Sequence, residues 1–265
     1  MSRPTLMNVT QTFASVVSSD YVRERIDPRR GESFYLHLSD LAYGLSRFRS
    51  DEPLRILDYG CGASPYRTLF PNSDYRRADA REAADLDYIV GDDQSVAERA
   101  EFFDLIVSTQ VLEHVREASL YLSECHRLLR AGGHLILSTH GIYGEHGVPY
   151  DFRRWTGDGL KTELEQTGFE VLECYRMTTN ARALAFLFEQ HGDMLIRTRR
   201  SISGLALWIL YSLLRRYRKT FHQWCDSTFG ASRVVDSSEP GHILAIGLLC
   251  FCVKRADPVS DTTIG

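Results

Sequence analysis

The sequence predicts an α/β protein with a doubly wound, mostly parallel sheet. Three observations point there. Short apolar runs of strand length alternate with amphipathic helical stretches from Leu54 to Tyr175. The first run enters a glycine-rich turn, LRILDYGCGASPY at Leu54–Tyr66. Polar and titratable side chains (Asp58, Asp79, Asp92, Ser108–Gln110, His140) fall where the strands should end. Ligands of open α/β sheets lie beyond those carboxyl ends.

Residues 1–50 read as an N-terminal helical segment. Glu32–Arg49 places Phe34, Leu38, Leu41, Leu45 and Phe48 at helical spacing, so that face should pack on the core. Tyr21, Arg23 and Arg25 fit a solvated face or a lid. Asp51-Glu52-Pro53 breaks the helix, and the sheet begins. Leu54, Ile56 and Leu57 form a buried strand that Asp58 closes. Gly60 and Gly62 permit a tight turn and close approach of a ligand. Ser64 and Pro65 suit the N-cap and first position of a helix.

The sign of the charge in that turn selects the ligand. An acid at the strand tip repels a pyrophosphate but attracts a ligand carrying an ammonium and a sulfonium. Asp58, Gly60 and Gly62 therefore suit S-adenosylmethionine (SAM) better than NAD. The next strand, Tyr75–Asp79, ends on an acid 21 positions after Asp58. An acid about 20 residues beyond such a turn is placed to accept both hydroxyl protons of a ribose. Leu86–Val90 is a third strand, and Asp92 in its turn could meet an adenine amino group. Phe102–Ser108 is a fourth, leading into residues 109–115. A helix over Ala118–Arg130 stops at Gly132-Gly133, and His134–Thr139 is the fifth strand.

Residues 54–139 resemble the core of class I SAM-dependent methyltransferases, in the small-molecule group similar to the quinone-biosynthesis enzymes. The matching pieces are LDYGCG, the acid of RRAD, VGDD, FDLIVSTQVLEHV and LSECHRLLRAGGHLILS. The resemblance implies a Rossmann-like fold of seven strands, mostly parallel, with an antiparallel last strand. It implies cofactor-binding roles for Asp58, Gly60, Gly62, Asp79, Asp92 and Gln110, the last in the loop beneath the cofactor. Ser64 stands where the family often has a third glycine. The domain reading is a SAM-binding core over 51–179, a helical insertion over 180–240, a final strand within 241–256 and a flexible tail over 257–265.

Residues 140–156 are rich in groups that bind or move protons. His140 and His146 could act as general base, because imidazole titrates near neutrality. Tyr143 and Tyr150 could stack on a substrate, and Arg153 or Arg154 could hold an anion. Alternatively Tyr150–Trp155 pins the loop to the sheet, with an arginine paired to Asp151. Leu160–Gln166 is a short helix, Phe169–Tyr175 the sixth strand, and His242–Val253 suits the antiparallel last one.

The insertion contains the apolar run SISGLALWILYSLL, Ser201–Leu214. Arg197, Arg199 and Arg200 precede it and Arg215, Arg216, Arg218 and Lys219 follow. It fits a helix at a membrane interface over 197–219, or a buried lid. Residues 226–240 read as a flexible connector. At 265 residues and 43% hydrophobic content the chain can bury one sizeable core. A net charge of −4 speaks against general nucleic-acid binding. The cysteines at 61, 125, 174, 225, 250 and 252 form no CxxC pair, so no metal site is expected and reduced cytoplasmic thiols are. The function expected is methyl transfer from SAM to a small-molecule, glycan or lipid-linked acceptor, in the cytoplasm or peripheral at a membrane. The alternatives are an NAD-dependent oxidoreductase on a similar sheet and a non-catalytic membrane-associated scaffold.

Overall fold

The computed structural model describes residues 19–81, 85–147, 149–192 and 202–255. Arg197, Arg199, Arg200 and the tail over 257–265 lie outside them. The sheet has eight strands in the order β3-β2-β1-β4-β5-β8-β6-β7. In chain order these are β1 (Arg55–Tyr59), β2 (Asp74–Asp79), β3 (Tyr88–Ile89), β4 (Phe103–Thr109), β5 (Leu129–His140), β6 (Phe169–Thr179), β7 (Val234–Asp236) and β8 (Ala245–Lys254). Strands β1 to β5 pair in parallel. Strand β8 runs antiparallel between β5 and β6, as the resemblance implied.

The helices are α1 (Ser19–Ile26), α2 (Tyr35–Ser46), α3 (Ala118–Leu128), α4 (Gly157–Gln166), α5 (Asn180–His191), α6 (Ile202–Arg216) and α7 (Arg218–Thr228). Side chains alternate across a strand, so the central strands feed two apolar layers. Leu57, Ile106, Leu135 and Leu137 meet Leu122, Cys125 and Leu128 of α3 and Leu160 and Leu164 of α4. Ile56, Leu105, Val107 and Ile136 meet Leu41 and Leu45 of α2. Both layers hold the carboxyl ends of β1, β2, β4 and β5 rigidly on one rim.

Several expectations need correction. The sheet has an eighth strand because Val234–Asp236, inside the expected connector, pairs antiparallel with Met177–Tyr175. Asp226 is likewise not connector but the helical end of α7. Helix α3 stops at Leu128, two residues early, because Leu129 already pairs with Phe103. The pairing then shifts register between Phe103 and Leu105, and Gly132 takes φ +69° beside that irregularity. Ser64 makes no side-chain cap; it adopts the left-handed φ of +51°, ahead of a 3₁₀ turn at Pro65–Leu69. The position where relatives often carry glycine thus keeps the glycine-like backbone.

Helix α2 is shorter than expected, and part of its buried face is polar. Phe34 is exposed, whereas His37, Ser39 and Asp40 are buried. The cause is a buried ion network. Asp40 Oδ2 accepts from Arg182 Nε at 2.7 Å, and Asp40 Oδ1 from Arg182 Nη2 at 3.0 Å. Thr178 Oγ1 and Arg233 Nε donate to the same carboxylate at 2.9 and 2.8 Å. Arg182 Nη1 continues to Asp226 Oδ1 at 3.0 Å. Through these bonds the inserted helices α5 and α7 are tied to α2.

Candidate active site

The glycine turn is built by β2. Gly60 and Cys61 both donate their N–H to Ala78 O, at 2.9 and 3.0 Å. Gly60 has φ +77°, and a Cβ there would stand 2.6 Å from Val111 Cγ2. Gly62 donates its N–H to Asp79 Oδ2 at 2.9 Å, so the acid at the end of β2 holds the turn after β1. Space opens above Gly62: the nearest atom to a Cβ there is the Tyr21 hydroxyl, 3.9 Å away. Tyr21 on α1 therefore overhangs the turn. Arg23 does not; it bonds Glu32.

Asp58 is buried and accepts from the Tyr75 hydroxyl at 2.9 Å. Burial pushes its carboxyl up to about 6, against the stabilising bonds from Tyr75 and Ser64. A buried carboxylate with so little compensation suits a cationic partner. Asp58, Asp79 and the two glycines thus form one acidic cradle. Asp92 is exposed in the turn after β3, whose Ile89 pairs with Asp79. Gln110 takes φ +56° and donates its N–H to Ser138 O at 2.9 Å.

Beside the cradle, the end of β5 carries a cluster of imidazoles. His140 stacks on Tyr143 with ring centroids 4.1 Å apart, and His146 meets His140 edge-on at 4.9 Å. His140 Nε2 lies 3.2 Å from Glu113 Oε1, although out of hydrogen-bond alignment. Thr139 Oγ1 donates to Glu113 Oε2 at 2.7 Å. Burial drives His140 well below the ordinary imidazole range and raises the Glu113 carboxyl. Burial also lowers His146, with His114 adding to the effect.

The sequence reading overlooked His37 and Glu113. His37 is fully buried on α2, 5.7 Å from the His140 ring, and burial lowers it to about 4. His37 faces the Gln110 side chain, which partly offsets the effect of burial although the two make no well-aligned hydrogen bond, and His140 Nδ1 has no hydrogen-bond partner among the described residues. A buried polar atom without a partner marks a site prepared for a polar ligand. A histidine inside the apolar stripe of α2 was the one available signal for His37.

Two substrate candidates are otherwise engaged. Arg154 grips Asp151 with both terminal nitrogens, at 2.6 and 2.7 Å, and donates to the carbonyls of Tyr143 and Gly144. That grip holds the Asp151 carboxyl down at about 2. Arg153 Nη1 donates to Val115 O and Arg116 O, at 3.1 and 2.7 Å. The loop-pinning alternative, with an arginine paired to Asp151, describes Arg154, while Arg153 ties the loop to the segment before α3. Tyr150 is exposed, at 64%. Donor atoms of Glu113, His114 and His146 lie within 4.8 Å of one another, a set that could hold a metal ion. His114 Nδ1 is already bonded to Tyr150 O at 2.5 Å, and Glu113 to Thr139.

The sequence profile of the family described as Methyltransferase domain matches residues 35–174, more than half of the chain. The chain belongs to the class I SAM-dependent methyltransferases. This methyltransferase is 32% identical over 162 residues to the ubiquinone biosynthesis O-methyltransferase of Ruegeria sp., over 47% of its own length and 65% of that protein. It is 31% identical over 103 residues to the protein of the same name from Chelativorans sp., spanning 33% of the chain and 41% of that relative. A SAM-dependent methyltransferase structure from Thermotoga maritima superposes with a TM-score of 0.52 at 13% identity, covering 89% of this chain and 95% of that one. At that identity the likeness concerns the fold. The methyltransferase spans less than two thirds of the length of these curated relatives.

Proposed function

We propose that the chain transfers a methyl group from SAM to an oxygen of a small or lipid-linked acceptor. The observation that carries this reading is the acidic turn of Asp58, Gly60, Gly62 and Asp79, together with the buried His140 at the end of β5, whose Nδ1 has no hydrogen-bond partner among the described residues. Asp58 would hold the ammonium of the amino acid end, Asp79 the ribose hydroxyls and Asp92 the base, with Gln110 beneath. Bound there, SAM supplies an activated methyl carbon, and the chain contributes alignment and exclusion of water. Acceptor chemistry falls to the imidazoles. With Nε2 turned to Glu113, His140 Nδ1 is free to accept a proton from a hydroxyl. His146 is the second candidate, and Tyr143 lines the same place. The O-methyltransferase relatives support an oxygen acceptor; a glycan is the second acceptor class. Incubation with labelled SAM and separated lipid, small-molecule and glycan extracts tests the proposal. Label in none of the three would overturn it.

His140→Ala should lower kcat by about 10²–10⁴-fold while SAM affinity stays put. Equal kcat in the variant would return the role to His146. Asp58 makes SAM binding depend on pH. Its folded pKa stands near 6, above the ordinary 3.8. The free protein therefore has the contribution of this group in full below the unfolded value and loses it as pH rises through 6. A bound ammonium favours the ionised form and removes that loss. Affinity for SAM should then be about tenfold weaker at pH 5 than at pH 7.5. Titration calorimetry at the two values checks this, and Asp58→Asn should flatten the difference.

A further inference from the structure

We propose that α6 and the start of α7 form a docking surface for a negatively charged lipid membrane. The helix has two unlike sides. On one side Tyr211 is buried against α5: its hydroxyl donates to Glu189 O at 3.3 Å, and its ring meets Phe188 edge-on at 6.0 Å. The ring also fills the place of a side chain at Gly192, where a Cβ would stand 2.4 Å from it. The opposite side carries Leu205, Ile209, Leu210, Leu213 and Tyr217, all exposed, with Leu213 at 51% and Tyr217 at 61%. At 100° per residue these five lie on one face, and Leu213 is nearly opposite Tyr211. Soluble proteins seldom leave so contiguous an apolar stripe in water.

Charge decides what the stripe fits. There is no Asp or Glu between Asp193 and Asp226. Arg216 and Lys219 at the end of the stripe are exposed, whereas Arg215 lies over the Tyr211 ring and Arg218 is held by Glu189 at 2.7 Å. Tyr217 stands at the same end, and Trp224 of α7 is exposed. An apolar face bordered by cations and by amphipathic aromatic rings matches the depth profile of an anionic bilayer surface. Helix α6 has 15 residues, about 22 Å, against a hydrocarbon core of about 30 Å. Among the described residues, no helix is long and apolar enough to cross a membrane. The geometry is that of a helix lying in the interface plane.

The surface is joined to the site by one helix. The other side of α5 reaches the imidazole cluster: Phe186 is 5.7 Å from the His37 ring and 5.9 Å from Tyr143. His191 closes on Gly144, where a Cβ would stand 2.8 Å from it. An acceptor dissolved in the membrane would therefore meet the site across α5. That last step rests on the proposed methyl transfer; the docking itself does not.

Vesicle sedimentation with the full chain tests the inference without using activity. The chain should pellet with vesicles of phosphatidylcholine and phosphatidylglycerol, and salt should weaken the binding. Leu210→Glu/Leu213→Glu should lower the partition by about tenfold or more, with SAM binding retained as proof of folding. Arg216→Glu/Lys219→Glu should remove the preference for phosphatidylglycerol over pure phosphatidylcholine. The inference is overturned if the chain stays in the supernatant with both vesicle types. Equal pelleting by the double leucine variant would also overturn it. So would a dimer, seen by light scattering, that this variant dissociates while the parent chain ignores vesicles.

Discussion

Asp79→Ala should abolish most SAM binding, weakening it by about 10- to 100-fold. The carboxylate has two tasks in the structure. Its Oδ2 accepts the Gly62 N–H at 2.9 Å and its Oδ1 the Arg81 N–H at 3.0 Å, so it fastens the turn. Its remaining lone pairs are the proposed acceptors for the ribose. Hydrogen bonds to an ionised group contribute about 1.5–3 kcal/mol each, and the alanine variant loses both tasks at once. Asp79→Asn separates them. An amide oxygen can still accept from Gly62, but its NH₂ cannot accept from a diol. The asparagine variant keeps the Gly62 contact and loses the Arg81 one, so it should melt closer to the parent than the alanine variant does and still bind SAM at least about tenfold more weakly. Wild-type affinity in calorimetry for either variant would remove Asp79 from the cofactor site.

The largest loss of stability is expected at a residue far from any chemistry. In Asp40→Ala the guanidinium of Arg182 keeps its place with no exposure and loses two of its bonds to a carboxylate. Removing one member of a buried pair costs about 3–5 kcal/mol, because the survivor cannot reach water. Arg182 would retain Asp226 and a 3.4 Å bond to Ser39 Oγ, and Arg233 would lose its partner Asp40. Against a total stability of about 5–15 kcal/mol, the variant should melt roughly 10 °C below the parent. Asp40→Ala/Arg182→Leu, which removes both charges, should recover part of the difference. A single variant melting within about 2 °C of the parent would show that the network contributes little.

Sequence alone disclosed the cofactor half well, because the features there are local. A strand, a turn and an acid at fixed offsets are one continuous pattern, and Asp58, Gly60, Gly62 and Asp79 meet as their spacing suggests. Helix α3 and strand β5 were legible from their apolar periods, with an error only where Gly132-Gly133 kinks a strand instead of ending a helix. The other half depends on partners far apart in the chain. Nothing near His37 or Asp40 announces that His140 or Arg182 will lie against them. Arg153 and Arg154 looked like substrate hands because free guanidinium groups cannot be told from occupied ones until the loop is folded. Ser64 shows the reverse case: a residue that departs from the expected glycine, while the backbone keeps glycine's conformation.

The place of β8 has a consequence for how the molecule assembles. Strands β1 to β5 follow one another closely, so a growing chain can zip them together as they emerge. Strands β6 and β7 cannot join that sheet alone, because the slot beside β5 belongs to a segment made only after α5, α6 and α7. Ladders that close over long stretches of chain form late and slowly. Until the last rung arrives, the greasy flank of α6 belongs to a half-finished protein, and the ribosome's surroundings are the first to encounter it.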